Sequence, residues 1–118
     1  MNIKLYAYRN CDTCRKARKY LDRKGIEYQL IPIREQSPTK SELKTMLANY
    51  DGNIRKLFNT SGGDYKILNM KEKLSNMTDA EATDLLSKNG NLIKRPFAIK
   101  GKTGVVGFRE STWDDLFL

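Results

Sequence analysis

The stretch Ile3-Lys4-Leu5-Tyr6-Ala7-Tyr8-Arg9-Asn10-Cys11-Asp12-Thr13-Cys14-Arg15-Lys16-Ala17 decides how the rest of this chain is read. Ile3, Leu5 and Ala7 alternate with Lys4, Tyr6 and Tyr8, the period-two pattern of a strand. Arg9-Asn10 then turn the chain into a helix expected over residues 11–24. Cys14, Ala17 and Leu21 fall on one face of it, and Gly25 is a natural stop. A Cys-x-x-Cys pair therefore stands after a strand and in the first turn of a helix. Unpaired backbone N–H groups and the positive end of the helix dipole favour an anion there, and a thiolate is such an anion. Cys11 is expected to be the exposed nucleophile. Cys14, one turn further in, is expected to resolve a mixed disulfide formed at Cys11. A purely structural disulfide would enclose only the two intervening residues and remove little unfolded-chain entropy, so redox chemistry is the better reading of the pair.

Outward from this stretch, residues 27–33 read as a second strand, parallel to the first across the helix, which makes a βαβ unit. The middle is helical. Thr39-Lys40-Ser41-Glu42 and Thr78-Asp79-Ala80-Glu81 are capping-box sequences, the second opening a helix that ends at Asn89-Gly90. Between them, Ile54, Leu57 and Phe58 mark a short helix, Ser61-Gly62-Gly63 breaks the chain, and residues 71–74 suit one turn. Residues 97–100 and 105–108 read as strands flanking Gly101-Lys102-Thr103-Gly104, and residues 110–117 close the chain as a helix carrying Trp113, Leu116 and Phe117. The expected fold is α/β and thioredoxin-like, one domain over residues 1–118. It has a mixed four-stranded sheet, βαβ then ββα, with a helical insertion in the middle. In that scaffold a cis-proline opens the strand facing the cysteine pair. Pro96 occupies the corresponding place, and Arg95 beside it would present a guanidinium to an anion held at Cys11.

Composition narrows the function. The 118 residues carry 22 basic and 14 acidic side chains, a formal net charge of +8, and 39% hydrophobic residues, which fits a soluble globule whose basic excess is either a solvated helix face or a surface for anionic partners. Basic residues concentrate between Asp12 and Lys24, but only Tyr20 is interleaved with them, so direct single-stranded nucleic-acid binding is not expected. The absence of histidine removes Ser-His, Cys-His and His-metal constellations. Two cysteines supply only half of a structural zinc site, so no metal and no bound cofactor are expected. No apolar run approaches the ~20 residues of a spanning helix. The N-terminal residues show no export pattern, so a cytoplasmic, monomeric protein is expected.

The chain resembles the arsenate reductase (ArsC)/Spx family, which includes the Spx and MgsR regulators. The matching stretches are Leu5-Tyr6 through Cys11-Asp12-Thr13-Cys14-Arg15-Lys16-Ala17, Gly25-Ile26 with Pro38, Lys56-Leu57-Phe58-Asn59-Thr60, Leu92-Ile93-Lys94-Arg95-Pro96 and Val106-Gly107-Phe108. The resemblance implies a thioredoxin-like fold and two functional branches. Arsenate reductases of this type use one cysteine with arginines that hold the oxyanion, and Cys11, Arg15 and Arg95 match that pattern. Cys14 stands where those enzymes have serine, while Asn59 and Phe108 stand where further arginines align. Arg109 is expected on a strand, out of phase with the site. The resemblance therefore implies a thiol–disulfide oxidoreductase acting on a small thiol or oxyanion, with glutathione, glutaredoxin or thioredoxin as electron donor, rather than an efficient arsenate reductase. The other branch keeps a Cys-x-x-Cys switch and binds the α subunit of RNA polymerase. Cys11, Cys14 and the loop glycine Gly52 match it, but the chain ends at Leu118 without the basic extension of the best-known regulators.

Overall fold

In the computed structural model, which describes residues 2–118, β1 (Ile3–Ala7) lies inside a four-stranded sheet of order β2-β1-β3-β4. It pairs in parallel with β2 (Tyr28–Pro32), Leu5 opposite Leu30, and antiparallel with β3 (Phe97–Lys100), Leu5 opposite Ala98. β4 (Thr103–Val106) completes the sheet against β3. The connection between the two parallel strands is α1 (Asp12–Arg23), as a βαβ crossover requires. This mixed four-stranded α/β sheet, βαβ then ββα with helices inserted between, is the arrangement expected from the order of elements.

The alternation along β1 marks two covered faces. Ile3, Leu5 and Ala7 pack with Ala17 and Leu21 of α1 and with Trp113 of α6 (Glu110–Phe117). Tyr6 points the other way and is also buried, packed with Phe97, Leu43 and Met46 under the helical insertion. Its hydroxyl is not left unpaired: it donates to Glu42 at 2.6 Å. Among the described residues, no helix is long and apolar enough to cross a membrane.

The insertion comprises α2 (Lys40–Ala48), a 3₁₀ turn at Ile54–Leu57, α3 (Gly63–Ile67), α4 (Met70–Lys73), a second 3₁₀ turn at Leu74–Asn76 and α5 (Asp79–Lys88). Both capping boxes form. The Thr39 and Thr78 hydroxyls each accept the backbone N–H of the glutamate three residues on at 3.1 Å, and each glutamate accepts the threonine N–H at 3.0 Å. Two details differ from expectation. Ser61-Gly62-Gly63 does not merely break the chain: Gly63 opens α3, held by the buried Tyr65, with Met70 of α4 buried next to it. Helices this short carry no usable periodicity and are stabilised by tertiary packing. The hairpin is also tighter than the four-residue turn read from Gly101 to Gly104. Thr103 already pairs with Lys100 and Gly104 with Ile99, leaving Gly101-Lys102 as a two-residue loop of the kind whose twist suits adjoining strands.

Candidate functional site

Cys11 is the N-cap residue of α1, with extended backbone, and its Sγ accepts the backbone N–H of Cys14 at 3.4 Å. A side chain here satisfies a helix N–H that would otherwise lack a partner, and negative charge on that side chain is stabilised by the helix end. Both cysteines are free thiols. Cys11 is half-buried, whereas Cys14 is 1% exposed within the core formed by α1 and α6. Burial pushes the Cys14 thiol up to about 12, and its hydrogen bond with the Cys11 side chain adds to the rise. The Tyr8 backbone and the Arg95 charge oppose it. Cys14 thus keeps its proton at neutral pH, behind a Cys11 that reaches a surface cavity.

The Arg95–Pro96 bond at the entry to β3 is cis, as expected. The Arg95 guanidinium lies over the Tyr8 ring at 5.1 Å, and Arg34 approaches the same ring at 4.7 Å. Arg15 is placed differently from Arg95. It pairs with Asp12 at 3.0 Å, its Nε is 3.4 Å from the Arg9 carbonyl oxygen, and it does not line the cavity. Gly52 lies exposed in the turn after α2 with φ +80°, a conformation that disfavours other residues, and it too is off the cavity wall.

The cavity in front of Cys11 has a volume of about 940 Å³. Arg55, Lys56, Lys94, Arg95 and Arg109 line it, and no aspartate or glutamate does. Among the described residues none of these five cations is in an ion pair. The convergence comes from backbone pairing between segments distant in sequence. Phe58 bridges Ile93, the Lys94 N–H donates to the Leu57 carbonyl at 2.8 Å, and the Asn59 N–H donates to that of Leu92 at 2.7 Å. These bonds set Lys56 of the 3₁₀ turn and Lys94-Arg95 on the same wall. Lys94 runs across Gly107: a Cβ there would lie 3.1 Å from Lys94 Cε, and the backbone at φ +76° also disfavours a side chain.

Arg109 corrects the strand reading. β4 ends at Val106, and Arg109 is the residue that starts α6, so strand alternation does not govern it. It faces the cavity together with Arg95. Arg55, Lys56 and Lys94 are cavity residues to which no sequence motif assigns a role, and the one signal for Lys56 and Lys94 is that they adjoin the buried pairs Leu57-Phe58 and Leu92-Ile93. Asn59 and Phe108 also border the cavity. The Asn59 amide packs against Gly62, 2.8 Å from where a Cβ would sit. The Phe108 ring packs 5.1 Å from Trp113 and 5.5 Å from Tyr20.

A family model described as the ArsC family matches residues 6–116. YusI of Bacillus subtilis strain 168, itself an uncharacterized protein, is 44% identical over 115 residues, covering 98% of both chains. The structure of a possible arsenate reductase from Streptococcus mutans UA159 superposes with a TM-score of 0.86 at 36% identity, over 95% of this chain and 97% of that one. The regulatory protein MgsR of Bacillus subtilis strain 168 is 29% identical over 106 residues, 90% of this chain and 82% of that protein.

Proposed function

The chain belongs to the ArsC family, and from that membership we propose that it is a thiol–disulfide oxidoreductase with Cys11 as nucleophile and Cys14 as resolving thiol. The supporting observation is the pair itself. A helix-capping sulfur opens on a cationic cavity, with a buried, protonated thiol hydrogen-bonded behind it. In the reaction, the Cys11 thiolate attacks a substrate disulfide, forms a mixed disulfide with one sulfur and expels the other as a thiolate. Cys14 then loses its proton, attacks Cys11 Sγ and releases the bound thiol, leaving a Cys11–Cys14 disulfide. Glutathione, or a glutaredoxin or thioredoxin dithiol, restores the pair. Arg95 lines the cavity on the substrate side and Pro96 follows it at the entry to β3, while Arg15, off the cavity wall and paired with Asp12, takes no direct part in binding. Thiol exchange needs a thiolate and a resolving partner. Arsenate reduction also needs arginines set directly against a doubly charged oxyanion beside that thiolate. Arg95 matches that pattern, but Asn59 and Phe108 stand where the further arginines align, and the other cations are spread over a cavity far larger than one oxyanion, so arsenate is a poor substrate here. The setting is the cytosol, where such disulfides are transient and catalytic.

The test is a Cys14→Ala variant, which cannot resolve and should retain its partner through Cys11. A small thiol or a redox protein recovered as a reductant-sensitive adduct supports the enzyme. No adduct at Cys11 refutes it. The likeness to a regulatory protein and the exposed Gly52 favour one alternative, a redox-sensing regulator that binds the RNA polymerase α subunit. Polymerase subunits co-purifying without a covalent link, and lost on Gly52→Arg, would establish that branch instead.

A further inference from the structure

We infer that the cavity in front of Cys11 recognises the non-sulfur part of a phosphate-bearing low-molecular-weight thiol that carries no ammonium group, and that mixed disulfides of such a thiol are the substrates. The inference rests on the oxidoreductase reading and names its substrate class.

Size and charge carry the argument. At about 940 Å³ the cavity lies at the upper end of ordinary ligand sites, far more than a single oxyanion fills. Five cations line it without a carboxylate, and none is neutralised by an ion pair among the described residues. A ligand that fills this space should offer several negative charges and no positive one. Glutathione offers two carboxylates but also an ammonium, which would sit among like charges with no anionic side chain to receive it. Phosphate and diphosphate groups have no such conflict, and arginine and lysine both bind them through charge-assisted hydrogen bonds. The distribution of the cations fits an extended ligand. Arg95 stands near the cysteine pair, Lys56 and Lys94 come from the bridged segments, and Arg109 stands at the start of α6. The placement of Lys94 across Gly107 shows a cation seated by a residue without a side chain.

The chemistry balances as a two-electron exchange. With a disulfide R–S–S–R′, where R–S is the phosphate-bearing thiol, Cys11 bonds to the sulfur of R and R′–S⁻ leaves. Cys14 then displaces R–S⁻, its proton going to the departing thiolate. The substrate disulfide is reduced to two thiols while the cysteine pair is oxidised, and a dithiol reductant regenerates the pair.

Coenzyme A disulfide, glutathione disulfide and hydroxyethyl disulfide serve as probes: phosphate-bearing, zwitterionic and neutral. The measurement is the second-order rate of Cys11 thiolation in the full chain, by intact mass after acid quench, at low and high ionic strength. Electrostatic focusing raises association by about 10- to 10³-fold. Coenzyme A disulfide should therefore react at least about tenfold faster than either competitor, and the advantage should shrink with salt. The variant Lys56→Gln/Lys94→Gln/Arg109→Gln should lose most of that preference, whereas Lys44→Gln, on the exposed side of α2, should keep it. A second readout needs no chemistry: desulfo-coenzyme A should bind Cys11→Ser protein by calorimetry, in competition with inorganic diphosphate. Equal rates for all three probes, or no calorimetric binding, would overturn the inference while leaving the oxidoreductase reading intact. Failure of every disulfide to modify Cys11 would overturn both.

Discussion

The buried state of Cys14 makes the resolving step the one most sensitive to pH. The perturbation is to load Cys11 with 2-nitro-5-thiobenzoate as a mixed disulfide and follow release of the coloured thiol, which requires attack by Cys14. Only the thiolate attacks, so the release rate follows the ionised fraction of Cys14. With that thiol pushed up to about 12, the ionised fraction grows tenfold with each pH unit across the range in which the fold is secure. From pH 7 to 9.5 the rate should rise about 300-fold with no plateau, whereas an ordinary thiol near ~8.5 would give about 30-fold and level off. Once Cys11 is tied up, its own hydrogen bond and charge no longer act on Cys14, but burial, the largest cause, persists. Nucleophilicity rises with basicity and recovers part of the loss at neutral pH without altering the slope. Cys14→Ala should abolish release. A plateau below pH 9, or release that survives Cys14→Ala, would refute the assignment of Cys14 as a buried, proton-retaining resolving thiol.

Three further outcomes follow from packing and electrostatics. Gly90→Ala should cost about 3 kcal/mol or more in urea unfolding, because the new Cβ would overlap the Ile33 carbonyl oxygen and lie 2.7 Å from its carbon, backbone that cannot move aside; Gly63→Ala, with open space around it, is the comparison, and equal costs would refute the argument. Stability should fall on the alkaline side: burial raises the Tyr6 hydroxyl and takes Tyr20 and Cys14 to about 12, so the folded state holds protons that the unfolded chain releases at about 8.5–10. Their contribution is complete below that range and is lost as pH climbs toward 12, which thermal melts between pH 7 and 11 would show as a falling midpoint. Arsenate turnover with glutathione and glutaredoxin should stay near background, and Asn59→Arg should raise it, one charge-assisted contact to a transition state being worth about 10²-fold; Phe108→Arg should instead lower the melting temperature, because that ring packs on Trp113 and Tyr20. Turnover typical of dedicated reductases in the unaltered protein would refute this account.

What the sequence determined by itself is local. β1 alternates as written, both capping boxes close with the residues that spell them, α6 spans Glu110–Phe117, and Cys11 takes the helix N-terminus because a strand and a turn precede it. Each depends on hydrogen bonds or periodicities within a few residues, which a linear reading can follow. The tertiary structure decided the rest. That Tyr6 is core depends on the insertion folding over the far face of the sheet. That Arg15 faces Asp12 and Arg109 faces the cavity depends on side-chain direction and on where β4 stops. The cavity itself exists because Phe58 bridges Ile93 and draws Lys56 beside Lys94 and Arg95. Bringing like charges together from distant segments opposes their mutual repulsion, and no local pattern encodes it. The buried Leu57, Phe58, Leu92 and Ile93 hold the segments in place, and the cations stand where that core packing puts them.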